Sequence, residues 1–155
     1  MGQRVLATTL LVLSWSVPAV SKDMALVANK ANTVTAVSLG DLTKICKGQT
    51  NRWADGKPVT VVLRDPASAD MRLVLEKVYG LPKDEVSALI STANHGRVNH
   101  PAIVITSSDE DLVKRVESTP GAVGLVDVYS ITGGVTVLRV GGKLPLEPGY
   151  PLHGN

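Results

Sequence analysis

The sequence predicts an α/β protein, with a mixed or mostly parallel sheet flanked by helices. Short runs dominated by valine, leucine, isoleucine and alanine recur at 24–28, 59–63, 102–105, 122–126 and 134–140. Between most of them lie stretches whose apolar residues repeat at helical spacing, such as Leu39, Leu42, Ile45 and Cys46. Clusters of Gly, Pro, Asn and Asp separate the two kinds of segment. Strands alternating with helices in this way build a central sheet with helical crossovers.

Taken in order, 24–28 is a first strand ended by Asn29 and Lys30, and 32–37 is a loop or a poorly formed strand. Ser38 and Asp41 have the cap-then-acid spacing of a helix start, and Gly48 supplies the left-handed stop. A polar turn follows, with Trp53 expected to lie over the core and Asp55-Gly56 at the bend. The strand 59–63 then feeds a helix expected over 68–79, with Ser68 as its N-cap and Met71, Leu73, Val74, Leu75 and Val78 as apolar positions. Gly80-Leu81-Pro82 interrupts the chain, and Pro82 opens a helix whose buried side carries Val86, Leu89 and Ile90. After a polar loop over 94–101 come a strand at 102–105 and a helix from Ser108 to near Ser118. Thr119-Pro120-Gly121 is a turn, 122–126 a fully buried strand, and 134–140 a last strand. From Gly141 the tail is irregular, with Pro145, Pro148 and Pro151.

Length favours a single domain after a leader: residues 1–21 as a signal peptide and 22–155 as one folded unit. Arg4 precedes an apolar stretch spotted with Ser and Thr, and Pro18-Ala19-Val20-Ser21 places small residues at the cleavage positions. That run is short for a membrane span. The alternative is an uncleaved anchor. The expected location is periplasmic or secreted, and no cysteine follows the leader to carry a lipid. Loss of Arg4 leaves 15 Lys and Arg against 14 Asp and Glu, from 16 against 14 in the whole chain. Such a balance argues against a nucleic-acid partner, which needs a basic face with aromatic platforms. There is no Phe, so the core must be aliphatic. Roughly 130 residues still bury about two-thirds of their unfolded surface.

Cys46 is the single cysteine, which precludes an intramolecular disulfide and reads as a buried thiol rather than a reactive one. His95 and His100 share a loop without a third ligand at matching spacing, so no metal is expected. No Gly-x-Ser-x-Gly elbow, local Cys–His pair, dinucleotide loop or P-loop is present, so neither an enzyme nor a cofactor is expected.

The segment with most chemistry is the corner between the strand at 59–63 and the helix behind it. Pro66 ends the strand, since it has no N–H for a ladder. A strand turning into a helix there leaves free amides and the positive end of a helix dipole. Arg64, at the strand end, adds a guanidinium suited to an oxyanion. Each residue also has a plainer role: Ser68 as a helix cap, Arg64 as a solvated charge, and Asp70 as a first-turn partner of the dipole.

Several blocks then resemble the phosphate-type periplasmic substrate-binding proteins. Ser38-Leu39, Leu42, Ile45-Cys46-Lys47-Gly48 and Trp53-Ala54-Asp55-Gly56 are similar to the family's "IF-x-G … W-x-D/G" block. Arg64-Asp65-Pro66-Ala67-Ser68-Ala69-Asp70 is similar to its Arg-x-x-x-Ser-Gly-Thr phosphate loop. Pro120-Gly121-Ala122-Val123-Gly124-Leu125-Val126 resembles its "PGAIGY" strand, and Tyr150-Pro151-Leu152 its "YPL" ending. The resemblance covers nearly the whole chain after the leader, in order. It implies one lobe of a type II periplasmic binding protein fold. It also implies that Arg64 pairs with an oxyanion, while Ser68 donates hydroxyl and amide and Ala69 and Asp70 donate amides. Two departures stand out. Ala69 and Asp70 replace the family's Gly and Thr, setting a carboxylate beside the anion, where it repels a dianion or accepts a proton from a monoprotonated ligand. The chain is also too short for the first lobe.

The resemblance thus implies an exported solute-binding-like protein for a small oxyanion such as phosphate, serving an ABC-type membrane transporter by binding alone. The alternative is an interaction module without transport, docking on an envelope protein or on a second copy. The oligomeric state is left open by the sequence.

Overall fold

The computed structural model describes residues 22–154. The expected leader, 1–21, lies outside them. A five-stranded mixed sheet forms the centre, in the order β4-β3-β5-β1-β6. Its strands are β1 (Met24–Asn29), β3 (Thr60–Arg64), β4 (Ile103–Thr106), β5 (Ala122–Asp127) and β6 (Val135–Val137). β3 runs parallel to both β4 and β5, while β1 is antiparallel to β5 and β6. A small second sheet pairs β2 (Ala36–Val37) with β7 (Arg139–Val140) in parallel.

Period-two alternation along the strands sorts their side chains onto two cores. Met24, Leu26, Val61, Leu63, Ile103, Val123 and Leu125 face one layer of helices. That layer holds α1 (Leu39–Cys46), a composite helix over 69–79 and α3 (Lys83–Asn94). Ala25, Val27, Val62, Ala122 and Val126 face the other side, where α4 (Asp109–Ser118) inserts Leu112, Val113 and Val116. The helices flank the sheet as expected. α4 lies close because Gly124 has no side chain: a Cβ there would come 2.8 Å from Leu112 Cδ2 and 3.1 Å from the Val62 carbonyl oxygen.

Local signals account for most boundaries. Ser38 and Ser108 accept hydrogen bonds from Asp41 N and Asp111 N at 3.0 and 3.1 Å, capping α1 and α4. α1 ends in a Schellman turn: Gly48 has φ +73°, and Gly48 N and Gln49 N donate to the Ile45 and Lys44 carbonyls. Trp53 is buried over the core and donates Nε1–H to the Gly121 carbonyl at 2.7 Å. At the free edge of β4, the Asn94 side-chain amide bonds both the N–H and the C=O of Ile103, closing part of an edge open to pairing.

Three elements differ from expectation. The helix over 68–79 is one 3-10 turn (Ala69–Met71), one α turn (α2, Arg72–Val74) and a π turn (Leu75–Tyr79) closed by Gly80 N on the Leu75 carbonyl. The widened turn lets adjacent Val78 and Tyr79 both enter the core, where Tyr79 O–H donates to the Cys46 carbonyl at 2.7 Å. Ser68 does not cap this helix with its side chain; its hydroxyl instead points back and donates to the Asp65 carbonyl at 2.7 Å. The last strand, expected unbroken over 134–140, divides at Leu138. That side chain is fully buried, and the chain passes there from the large sheet to the small one. The irregular tail is pinned to β1, since Tyr150 O–H donates to the Met24 carbonyl and Met24 N to the Leu152 carbonyl.

Burial pushes the Cys46 thiol up to about 12 and raises the phenols of Tyr79 and Tyr150. Raised folded-state values mean that the native state holds protons the unfolded chain has released. The stability that Cys46 contributes is therefore fully present below pH 9.0, the ordinary thiol value, and is lost as pH rises toward 12. Each such proton weakens the folding constant about tenfold per pH unit. Denaturant titrations are expected to show a decline from pH 9 that steepens above pH 10, where tyrosine ordinarily ionises. In Cys46→Ala the stretch between pH 9 and 10 should be flat.

Candidate functional site

The topology itself creates a crevice. β3 leaves the sheet into the composite helix on one face, whereas its neighbour β4 leaves into α4 on the other. Adjacent parallel strands whose exits diverge leave an opening at their carboxyl ends, where ligands of open α/β sheets bind. Arg64 ends β3 and pairs in register with Thr106 at the end of β4.

The crevice is bridged by charge. Arg64 Nη1 lies 2.6 Å from Asp109 Oδ1, in the first turn of α4, and 3.2 Å from Asp70 Oδ2. The arginine side chain is 16 % exposed, Asp109 24 % and Asp70 45 %, so the Asp109 contact is the less screened of the two. Asp109 is held from its other oxygen by the Ser130 hydroxyl at 2.8 Å. Arg64 Nε is buried and has no hydrogen-bond partner among the described residues. The guanidinium is thus fixed in orientation but already faces two carboxylates.

The turn after Arg64 is built by Asp65. Its side chain accepts from Ala67 N at 2.8 Å, and its carbonyl accepts from both the amide and the hydroxyl of Ser68. These bonds hold the turn and occupy both Ser68 donors. The next two amides, those of Ala69 and Asp70, have no protein acceptor among the described residues, and both residues are exposed. Ala69 and Asp70 line a cavity of about 280 Å³ shared with Lys22, Arg72, Glu76, Lys77, Asp127 and His153. Neither Arg64 nor Ser68 lines it. Of the four residues expected at the site, then, Ala69 and Asp70 open onto the cavity. Arg64 reaches it only through Asp70, and Ser68 supports the turn.

Asp109, Ser130 and Lys22 escaped the sequence reading. Asp109 carried a signal in hindsight: a strand parallel to β3 sets Thr106 beside Arg64, and the first turn of the following helix then returns to the same edge. Lys22 enters through its ion pair with Asp127 at the end of β5, at 3.2 Å. His153 pairs with the buried Asp23 carboxylate, Nδ1 to Oδ1 at 2.6 Å. His95 and His100 stay exposed, and among the described residues no group of three or more His, Cys, Asp or Glu is placed to hold a metal. No helix among them is long and apolar enough to cross a membrane.

A mixed sheet with helices on both faces and a crevice at the carboxyl ends of its parallel strands is the architecture of one lobe of a periplasmic binding protein. The chain belongs to the family described as a PBP superfamily domain, whose profile matches residues 13–148. Its fold is similar to that of an ABC-type phosphate transport receptor from Vibrio cholerae, at 20% identity and TM-score 0.70, over 86% of this chain and 54% of that one. PstS from Borrelia burgdorferi is similar at 14% identity and TM-score 0.66, over 87% of this chain and 55% of that one. A phosphate-binding protein from Stenotrophomonas maltophilia follows at 18% and 0.62, over 83% and 42%. At these identities the likeness is one of fold. The chain spans about half the length of the structures it matches. No curated protein matches the sequence.

Proposed function

We propose that this chain is an exported solute-binding protein of the ABC-uptake kind that holds a small oxyanion, phosphate or sulfate, at the corner after β3. The pair of amides at Ala69 and Asp70, without an acceptor among the described residues and belonging to residues that line the cavity, carries this reading. Two N–H groups at a helix start favour an oxyanion, and Arg64, held by Asp109 and Asp70, supplies an oriented cation at the same corner. Ser68 keeps the turn in shape, and its hydroxyl reaches a ligand only by leaving the Asp65 carbonyl. No bond is made or broken in the ligand, so the role is binding and not catalysis.

The same geometry sets the affinity low. Asp70 places a negative charge beside the seat, and unit charges about 4 Å apart near a protein surface interact by up to about 4 kcal/mol before screening by solvent and salt. The open half-cleft also leaves water in contact with the ligand. Dissociation constants of about a millimolar follow, equivalent to about 4 kcal/mol. Sulfate has no proton to share with a carboxylate, so Asp70 only repels it. Asp70→Asn is expected to tighten sulfate binding several-fold, by about 1 kcal/mol, as read by equilibrium dialysis. Unchanged or weaker sulfate binding in that variant would place the anion away from the corner.

A second reading, docking of an envelope partner or a second copy, rests on Tyr129 and Leu146. They are 69% and 65% exposed. Tyr129 follows the end of β5, and Leu146 N donates to Asp23 just before β1, so both stand near the carboxyl-end edge. Sedimentation at several concentrations tests self-pairing. A strict monomer would remove that form of it.

A further inference from the structure

The opposite end of the sheet has a different charge. A groove of about 860 Å³ runs past the amino ends of β3 and β4, and Arg52, Arg97, His100 and Arg115 line it. None of its lining residues is Asp or Glu. At the carboxyl end Arg64 meets two carboxylates, but here the arginines meet neutral acceptors. Arg52 Nη1 donates to the Gly56 carbonyl at 2.8 Å, and Arg97 Nη2 to Asn51 Oδ1 at 3.2 Å. Arg115, in the last turn of α4, forms no ion pair among the described residues. Like charges gathered without a counterion repel, and an anionic occupant relieves that repulsion.

We propose that this groove is a docking site for an acidic peptide segment of a partner protein, with small apolar side chains between its carboxylates. The charge calls for carboxylates, which guanidinium groups bind in paired geometry. The walls call for the rest of the occupant. Val98, 92% exposed, projects from the loop between Arg97 and His100, and Pro101, Val104 and Pro120 add apolar surface. An inorganic polyanion has nothing to bury there. No Trp or Tyr lines the groove, so its lining offers a sugar or nucleobase no aromatic platform larger than the His100 ring. Residues 1–21 contain no Asp or Glu, so the chain's own start does not complement the groove. The loop carrying Arg97 is tied back by Arg97 N on the Asn94 carbonyl, which lowers the ordering cost of binding.

The test uses the full chain and a fluorescein-labelled octapeptide of alternating Glu and Val, followed by fluorescence polarisation. Saturable binding is expected, weakening about tenfold or more as added salt screens the pairs. Arg97→Gln combined with Arg115→Gln should weaken it by a further factor of about ten, as loss of two charge-assisted contacts implies. Lys143→Gln, an exposed charge change elsewhere, should leave it as it was. Both arginines are exposed, so the double variant is expected to keep the wild-type denaturation midpoint and its phosphate response at the opposite edge. Three outcomes would overturn the proposal: no saturable binding, equal binding by the double variant, or a matching response to a Lys-Val octapeptide. Tripolyphosphate binding through the same arginines while the Glu-Val peptide fails would also overturn it, and would assign the groove to an inorganic polyanion. Salt-reversible self-association abolished by the double variant, with no peptide binding, would assign it to a second copy.

Discussion

Arg64→Ala is expected to lose the oxyanion response and to unfold at lower denaturant. Two losses coincide. The anion loses the guanidinium that Asp109 and Asp70 hold at this corner, and the Asp109 carboxylate loses its 2.6 Å partner. Removing one member of a buried ion pair costs about 3–5 kcal/mol, and the 24 % exposure of Asp109 lowers that to about 2 kcal/mol. The two effects separate by a second substitution. Arg64→Ala with Asp109→Asn should recover part of the stability, because the one carboxylate left without its partner, Asp70, is 45% exposed to water, yet recover none of the anion response. If the double variant bound phosphate like wild type, Arg64 would be a structural bridge alone. Arg64→Lys should keep more stability than Arg64→Ala, but a single ammonium lacks the further guanidinium donors that remain for an anion while Nη1 serves both carboxylates.

The second large effect is Gly121→Ala. Gly121 has φ +81°, and a Cβ there would sit 2.2 Å from the Pro58 carbonyl oxygen and 3.4 Å from its carbon. Backbone, not a flexible side-chain end, must move to admit it. The same residue accepts the Trp53 indole N–H, so the displacement reaches the core lid. A loss of about 3 kcal/mol or more is expected from strain plus clash, read by denaturant unfolding. Gly56→Ala is the internal control. Its φ is +85° with nothing within 4 Å, so only the conformational part, about 1 kcal/mol, should appear. Equal costs at the two positions would show that the close approach to Pro58 contributes nothing.

The legible parts of this chain were those dictated by neighbours in sequence. The Ser38 and Ser108 caps, the Gly48 stop, the buried run 122–126 and the Trp53 lid each follow from a few adjacent residues, and the structure holds them all. The π turn before Gly80 was not legible, because it answers a tertiary demand: Val78 and Tyr79 must both reach the core, and a regular helix presents adjacent residues 100° apart. The break at Leu138 has the same kind of cause, the passage of one chain between two sheets.

The site divided along the same line. Arg64, Ala69 and Asp70 occupy the strand-turn-helix corner that their order suggested, but the partner that fixes Arg64 comes from 45 residues away. Ser68 shows how a local motif is outcompeted. A serine before a helix start reads as a cap, yet its hydroxyl donates to the Asp65 carbonyl and accepts no bond from the amides it was expected to serve. The charge contrast between the two sheet ends was likewise hidden. Arg52, Arg97, His100 and Arg115 are scattered along the chain and converge only when β3, β4 and α4 are stacked in register.

The most direct measurement is a phosphate titration of the ¹⁵N-labelled chain, following backbone amide shifts. Saturable shifts are expected at Ala69 and Asp70, with smaller ones along the turn from Asp65, and Arg64→Ala should abolish them. Amides at this corner that stay still while phosphate rises through tens of millimolar, or that move identically without the guanidinium, would contradict an oxyanion seat after β3.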